Sequence, residues 1–170
     1  CSSDLVYFSG MIKYMDKIIG QLLDKLKQDN LLENTVILYA GDNGTDHIYS
    51  RWNGQIIQGR KSESNIYGTH VPLLVYAPGQ IKAGGSDASL IDFTDVMPTL
   101  AGIAGFKMPS SYTTDGVNFA PRIKGFSGTP REWIFCSYQP RPENANSKPK
   151  RWIQNDTYKL YDINANGVSN

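Results

Sequence analysis

Seven residues, Thr35-Val36-Ile37-Leu38-Tyr39-Ala40-Gly41, run directly into Asp42-Asn43-Gly44. The run is short and apolar and reads as a buried strand. A second such run, Val71 to Ala77, is closed by Pro78-Gly79. Two core strands commit the chain to a sheet whose faces must be covered. Asp42 and Asn43 then fall at the tip of the first strand. Two oxygen-bearing side chains there are a natural place for a hard cation.

Residues 4–29 predict one long amphipathic helix. Met11, Met15, Ile19, Leu22 and Leu26 step by three or four and form a stripe, flanked by Leu5, Phe8, Ile12, Ile18 and Leu23. Lys13, Asp16, Lys17, Asp24, Lys25 and Gln28 take the opposite side. Gly20 costs such a helix about 1 kcal/mol against Ala, which points to close approach of another backbone. Asp29-Asn30 is a stop signal.

Residues 44–69 are polar, with two short apolar interruptions at Ile48-Tyr49 and Ile56-Ile57. They read as a long loop that holds a small hairpin, and loops of this length are usually functional or disordered. Asp92 to Gly105 reads as a second helix. Pro98 falls in its first turns, where a missing N–H is tolerated, and Gly105 suits its C-terminal cap. Residues 106–130 are rich in Gly, Pro and Ser and are expected to be irregular. Glu132 to Tyr138 and Arg151 to Tyr161 read as antiparallel strands, with a Pro/Asn/Lys loop at 139–150 between them.

The expected architecture is an α/β half-sandwich over residues 1–105, a connection over 106–130 and the start of a small antiparallel sheet over 131–170. A doubly wound sheet needs more parallel strands than the two found here. The first helix also lacks the strand it should follow.

At 170 residues the chain is long enough for one ordinary domain with a real core. Its net charge is +1 with both signs mixed along it, so there is no nucleic-acid footprint. No apolar stretch reaches membrane-spanning length. The opening Cys1-Ser2-Ser3-Asp4 lacks the basic segment and apolar core of a secretory signal. Cys1 and Cys136 are too few for a disulfide framework. Cys1 reads as a boundary residue and Cys136 as a half-buried strand residue.

Spacing sharpens the picture. Lys61 lies eighteen residues past Asn43, within Gly59-Arg60-Lys61, and His70-Val71-Pro72 begins nine residues after Lys61. Asp92-Phe93-Thr94-Asp95-Val96-Met97-Pro98-Thr99-Leu100, Asp115-Gly116 and Tyr158-Lys159-Leu160 follow in order. Together with Tyr7 to Leu26 and the Asp42-Asn43-Gly44 strand, this series resembles the second half of the sulfatase active-site domain, in the alkaline-phosphatase-like superfamily. The fold so implied is an incomplete alkaline-phosphatase-like sandwich plus a small antiparallel C-terminal sheet.

The resemblance implies that Asp42 and Asn43 are two ligands of a calcium ion set against the sulfate group. The chemistry agrees, since calcium takes six to eight oxygens and this pair offers two or three. Taken alone, Asp-Asn-Gly is also good turn chemistry. By resemblance Lys61 contacts a sulfate oxygen and offsets charge on the ester and its leaving group. His70 stands where many relatives carry Arg, and is a candidate substrate contact or a loop anchor. His47, in the same loop, could reach a substrate, although no spacing fixes its role.

Sulfatases use a formylglycine made from Cys or Ser within Cys/Ser-x-Pro-x-Arg, and two further Asp ligands from an earlier strand. Neither element precedes Asp42 here. Ser147-Lys148-Pro149-Lys150-Arg151 matches the motif literally, but it follows the metal segment and leads into a strand, where the family motif starts a helix. The resemblance therefore implies part of a calcium-dependent sulfuric ester hydrolase, inactive as it stands. Its parent would act on an aryl or carbohydrate sulfate in the periplasm or outside the cell.

Two other readings stand beside it. One is a phosphodiester or phosphonate ester hydrolase of the same superfamily, against which the scarcity of His counts. The other is a non-catalytic remnant that binds sulfated glycans or a partner through Trp52, Trp133, Trp152 and the Arg/Lys loops. Exposed apolar surface and open strand edges are expected to make the isolated chain self-associate.

Overall fold

A computed structural model describes residues 2–46, 48–81, 83–139, 143–144 and 148–162. The chain divides into two compact units, Cys1–Ala83 and Gly84–Asn170.

The first unit opens with helix α1 (Ser2–Gln28) and a 3-10 turn at Leu32–Asn34. Strand β1 (Ile37–Ala40), the strands β2 (Tyr49–Trp52) and β3 (Gln55–Gln58), the one-turn helix α2 (Ile66–Thr69) and strand β4 (Leu73–Tyr76) follow. The two core strands are antiparallel, with Ile37 opposite Tyr76 and Ala40 opposite Leu73. This corrects the parallel arrangement expected from sequence. The path from β1 to β4 runs through a hairpin and a single helical turn. A parallel return needs a long crossover, usually a helix laid over the sheet, and the segment supplies none. The expected hairpin is β2–β3, turned by Asn53-Gly54 with φ of 48° and 78°. Positive φ at both positions is the geometry that Asn-Gly favours.

Helix α1 half-buries Phe8, Met15, Ile19, Leu23 and Leu26. The inward stripe is thus rotated slightly from the expected one, and Met11 is 66% exposed. The Tyr39 hydroxyl donates to Met15 Sδ at 3.3 Å and ties α1 to β1. Gly20 meets nothing: a Cβ built there has no neighbour within 4 Å. The close approach expected at this glycine is therefore corrected, because no described backbone packs against that face. Among the described residues no helix is long and apolar enough to cross a membrane.

The second unit is organised around one carboxylate. Asp92 caps a 3-10 turn, Phe93–Asp95, which runs into α3 (Val96–Ile103). The Asp92 side chain accepts from the Thr94 N–H, and Asp95 reaches back to the Asp92 N–H, each at 2.9 Å. This is a capping box. Gly105, at φ 68°, ends the helix as expected. Asp95 is buried and accepts from Arg131 Nε at 2.9 Å, from Arg131 Nη2, and from the Val117 N–H at 2.6 Å. The same guanidinium donates to the carbonyls of Asp115 and Trp133. Thr99, fully buried, accepts from the Phe119 N–H at 3.0 Å. A Cβ on Gly116 would lie 2.0 Å from the Thr94 carbonyl oxygen, so only glycine fits that crossing. Residues 106–130 are irregular except for α4 (Ala120–Ile123), and they are drawn onto α3 by these bonds.

Burial alone would push the Asp95 carboxyl up. The Arg131 hydrogen bonds, two backbone N–H groups and the Arg131 charge outweigh it and hold the group below its ordinary value of 3.8. A carboxyl that titrates lower in the folded state stabilises it above the unfolded value. That contribution drains away as pH falls through the lower folded value. The near-ultraviolet circular dichroism of the second unit is therefore expected to hold down to about pH 4 and to fade below it.

Strands β5 (Ile134–Tyr138), β6 (Lys150–Gln154) and β7 (Lys159–Tyr161) form an antiparallel sheet in that order. The single strand expected over Arg151 to Tyr161 is broken at Asn155. Its side chain accepts from the Thr157 and Tyr158 N–H groups at 2.9 and 2.6 Å, which makes a turn. Trp152 is 5% exposed and packed beneath the Lys159 ammonium, 4.7 Å from the ring centre. It is a core residue, which corrects its listing among sugar-stacking candidates. Cys136 is half-buried in β5, and burial pushes its thiol up.

Candidate functional site

The β1 backbone stays anchored past its last paired residue. The Gly41 N–H donates to the Pro72 carbonyl at 3.1 Å, and the Gly44 N–H to the Gly68 carbonyl at 2.9 Å. Asp42 and Asn43 span the gap between these anchors, Asp42 exposed and Asn43 half-buried. Gly44 is obligatory on space alone. A Cβ there would lie 1.9 Å from the Tyr67 carbonyl oxygen.

Lys61 is brought back to this corner by the hairpin. The Gly59 N–H donates to the Ile48 carbonyl at 2.9 Å, and the Lys61 N–H to the Thr45 carbonyl at 3.0 Å. The ladder of β2 and β3 therefore continues down to the residue after Gly44. Arg60 and Lys61 then part in role. Arg60 Nη1 donates to Glu63 Oε1 at 3.0 Å, and Asn65 Nδ2 donates to Glu63 Oε2 at 2.6 Å. Asn65 also caps α2 by accepting from the Tyr67 and Gly68 N–H groups. Lys61 is exposed. This chain of bonds fixes the segment that carries the Gly68 anchor.

His70 is exposed and closes α2, its N–H donating to the Ile66 carbonyl at 2.9 Å. His47 and Ser147 lie outside the described residues. Sequence reading did not reach Glu63 or Asn65. The sequence carried no signal for them, because Asn65 reads as an N-cap only once the short turn after it is known.

Asp42 and Asn43 offer oxygen donors only, the type a hard cation takes. Among the described residues no group of three or more His, Cys, Asp or Glu converges as metal ligands would. The pair suits part of a calcium shell and does not complete one.

A family model described as Sulfatase matches residues 3–106. The chain is 28% identical over 137 residues to an arylsulfatase of Hemicentrotus pulcherrimus, covering 79% of this chain and 25% of that protein. It is 31% identical over 115 residues to the Endo-4-O-sulfatase of Bacteroides thetaiotaomicron, covering 68% and 22%. Its fold matches that of a solved protein in complex with its substrate, D-glucosamine-2-N,6-O-disulfate, with a TM-score of 0.67 and 24% identity over 88% of this chain and 29% of that one. The chain spans about a quarter of the length of the curated relatives it matches.

Proposed function

The chain belongs to the sulfatase family, and we propose that it forms part of a calcium-dependent sulfuric ester hydrolase acting on a carbohydrate or aryl sulfate. One observation carries the reading: Asp42 and Asn43 sit between two backbone anchors, with the Lys61 backbone bonded to Thr45 beside them. In this reading Asp42 and Asn43 donate oxygens to calcium. The ion, when bound, draws charge from the sulfate oxygens. Lys61 offsets the charge that grows on the ester and its leaving group. His70 is the further candidate for a substrate contact, and His47, outside the described residues, is a candidate by sequence alone. The site residues act with a formylglycine nucleophile and two Asp ligands contributed from elsewhere in the protein. The 41 residues ahead of Asp42 contain no proline, and so no Cys/Ser-x-Pro-x-Arg. The parent is proposed to work in the periplasm or outside the cell.

The reading is tested with 4-nitrophenyl sulfate, with calcium and with chelator. The isolated chain is expected to show no calcium-dependent turnover. Turnover that depends on calcium would overturn the assignment and make Ser147 the residue to mutate. In the complete enzyme, Lys61→Ala is expected to lower kcat about 10²- to 10³-fold, as removal of one charge-stabilising donor does.

The isolated chain is also proposed to self-associate. Val6, Tyr7, Met11 and Tyr14 of α1 are all exposed, and so are Phe93, Met97 and Phe106 of the second unit. Apolar surface of this kind drives association. Sedimentation velocity at micromolar concentration is expected to show dimers or larger species, and a clean monomer would contradict this.

A further inference from the structure

The β2–β3 hairpin lies between the two halves of the candidate site in sequence and stands on them in space. Its lowest rungs are the bonds from Lys61 to Thr45 and from Gly59 to Ile48. Above them both strands are largely open to solvent, with Tyr49 52% and Trp52 69% exposed. Such a ribbon buries too little to be there for the core.

Its chemistry is one-sided. From residue 47 to residue 62 there is no Asp or Glu, while Arg51, Arg60 and Lys61 are basic. Arg60 is engaged by Glu63, which leaves Arg51 and Lys61 as exposed cations. Side chains alternate along a strand, so Tyr49 and Arg51 share one face of the ribbon. Their cross-strand partners are the uncharged Gln58 and Ile56.

Resting on the sulfatase reading, we infer that this hairpin is a specificity arm for an oligosaccharide with a second sulfate beyond the scissile one. Tyr49 offers a flat ring to a sugar, and Arg51 offers a guanidinium to the distal sulfate. The length fits. Arg51 pairs with Ile56 in β3, and Lys61 follows Ile56 by five residues, three of them past the end of the strand, a reach of at most about 17 Å for extended chain. A span of that size corresponds to a short oligosaccharide rather than to one ring. A small aryl sulfate would engage Lys61 and leave the arm untouched.

The test is a titration of the ¹⁵N-labelled chain, in calcium, with three probes: inorganic sulfate, a monosulfated chondroitin disaccharide and a disulfated chondroitin tetrasaccharide. Sulfate is expected to move the amide signals of Thr45 and Lys61 alone. The tetrasaccharide is expected to move those of Tyr49 and Arg51 as well, and to bind more tightly than the disaccharide. Arg51→Gln should remove that gain, about tenfold for one charge-assisted contact, and leave the response to sulfate intact. Tyr49→Ala should weaken the tetrasaccharide in the same selective way. If Thr45 and Lys61 respond while the hairpin stays silent, or if Arg51→Gln binds the tetrasaccharide as the parent chain does, the arm is refuted and the sulfatase site stands. If no probe moves any of these signals, the arm is refuted together with the placing of Lys61 against sulfate, while membership of the family, which rests on sequence, stands.

Discussion

Asp95→Asn is expected to destabilise the second unit by about 3–5 kcal/mol, the cost of stranding one partner of a buried ion pair. The substitution keeps the shape of the side chain, removes its charge and turns one of two oxygens, each accepting from two N–H groups, into an NH2 donor. Arg131, its side chain 7% exposed, then holds a guanidinium with no carboxylate bonded to it, and Asp92 and Asp115 act on it through their charge alone. Net stabilities of domains are only about 5–15 kcal/mol, so the loss is a large share of the total. Urea unfolding followed by the fluorescence of buried Trp152 measures it. The control is the double change Asp95→Leu with Arg131→Met, which removes both charges and should recover much of the loss. A single change that costs under about 1 kcal/mol would show that the pair behaves like an exposed one.

The second large effect is expected at Gly44. In Gly44→Ala the new Cβ meets a carbonyl oxygen of the backbone, Tyr67 O at 1.9 Å, rather than the end of a flexible side chain. The strand end must move, and Asp42 and Asn43 move with it. Overpacking of this kind costs about 1–3 kcal/mol. The functional cost in the complete enzyme is larger, on the order of 10²-fold for a displacement near 1 Å. In the isolated chain the readout is calcium titration followed at the amides of residues 42–45. Gly20→Ala is the companion variant: it adds a methyl where nothing lies within 4 Å and should stabilise α1 by up to about 1 kcal/mol. Retention of the calcium response in Gly44→Ala would break the link between this crossing and the site.

The elements legible in the sequence were those written in local pattern. Apolar runs gave β1 and β4, a period of three to four gave α1, and Pro98 and Gly105 bracketed α3. The hairpin was legible in the apolar interruptions Ile48-Tyr49 and Ile56-Ile57, while the Asn53-Gly54 turn that closes it was not singled out. Strand direction was not, because a run of apolar residues carries no sign of which way its partner runs. The Asn155 turn was hidden for a related reason: aromatic and aliphatic residues flank it closely enough to sustain one long alternation. At the site, Asp42, Asn43 and Lys61 stood out by residue type and spacing. Glu63 and Asn65 did not, since their role is to hold a loop and is visible only once both ends of their bonds are placed. Arg131 is the extreme case, a residue in no motif whose partner lies thirty-six positions away.

That separation sets how the second unit comes together. Closing a loop of this length costs about 3 kcal/mol of chain entropy before any contact repays it. The first turn of α3 is therefore finished only when the approach to β5 arrives. The Gly-, Pro- and Ser-rich stretch between them behaves as the interior of one cooperative element and not as a tether. A nick placed there would open a closed ring, and helix and sheet are expected to lose their order together, whereas an insertion only lengthens the ring at about 0.6 kcal/mol per doubling.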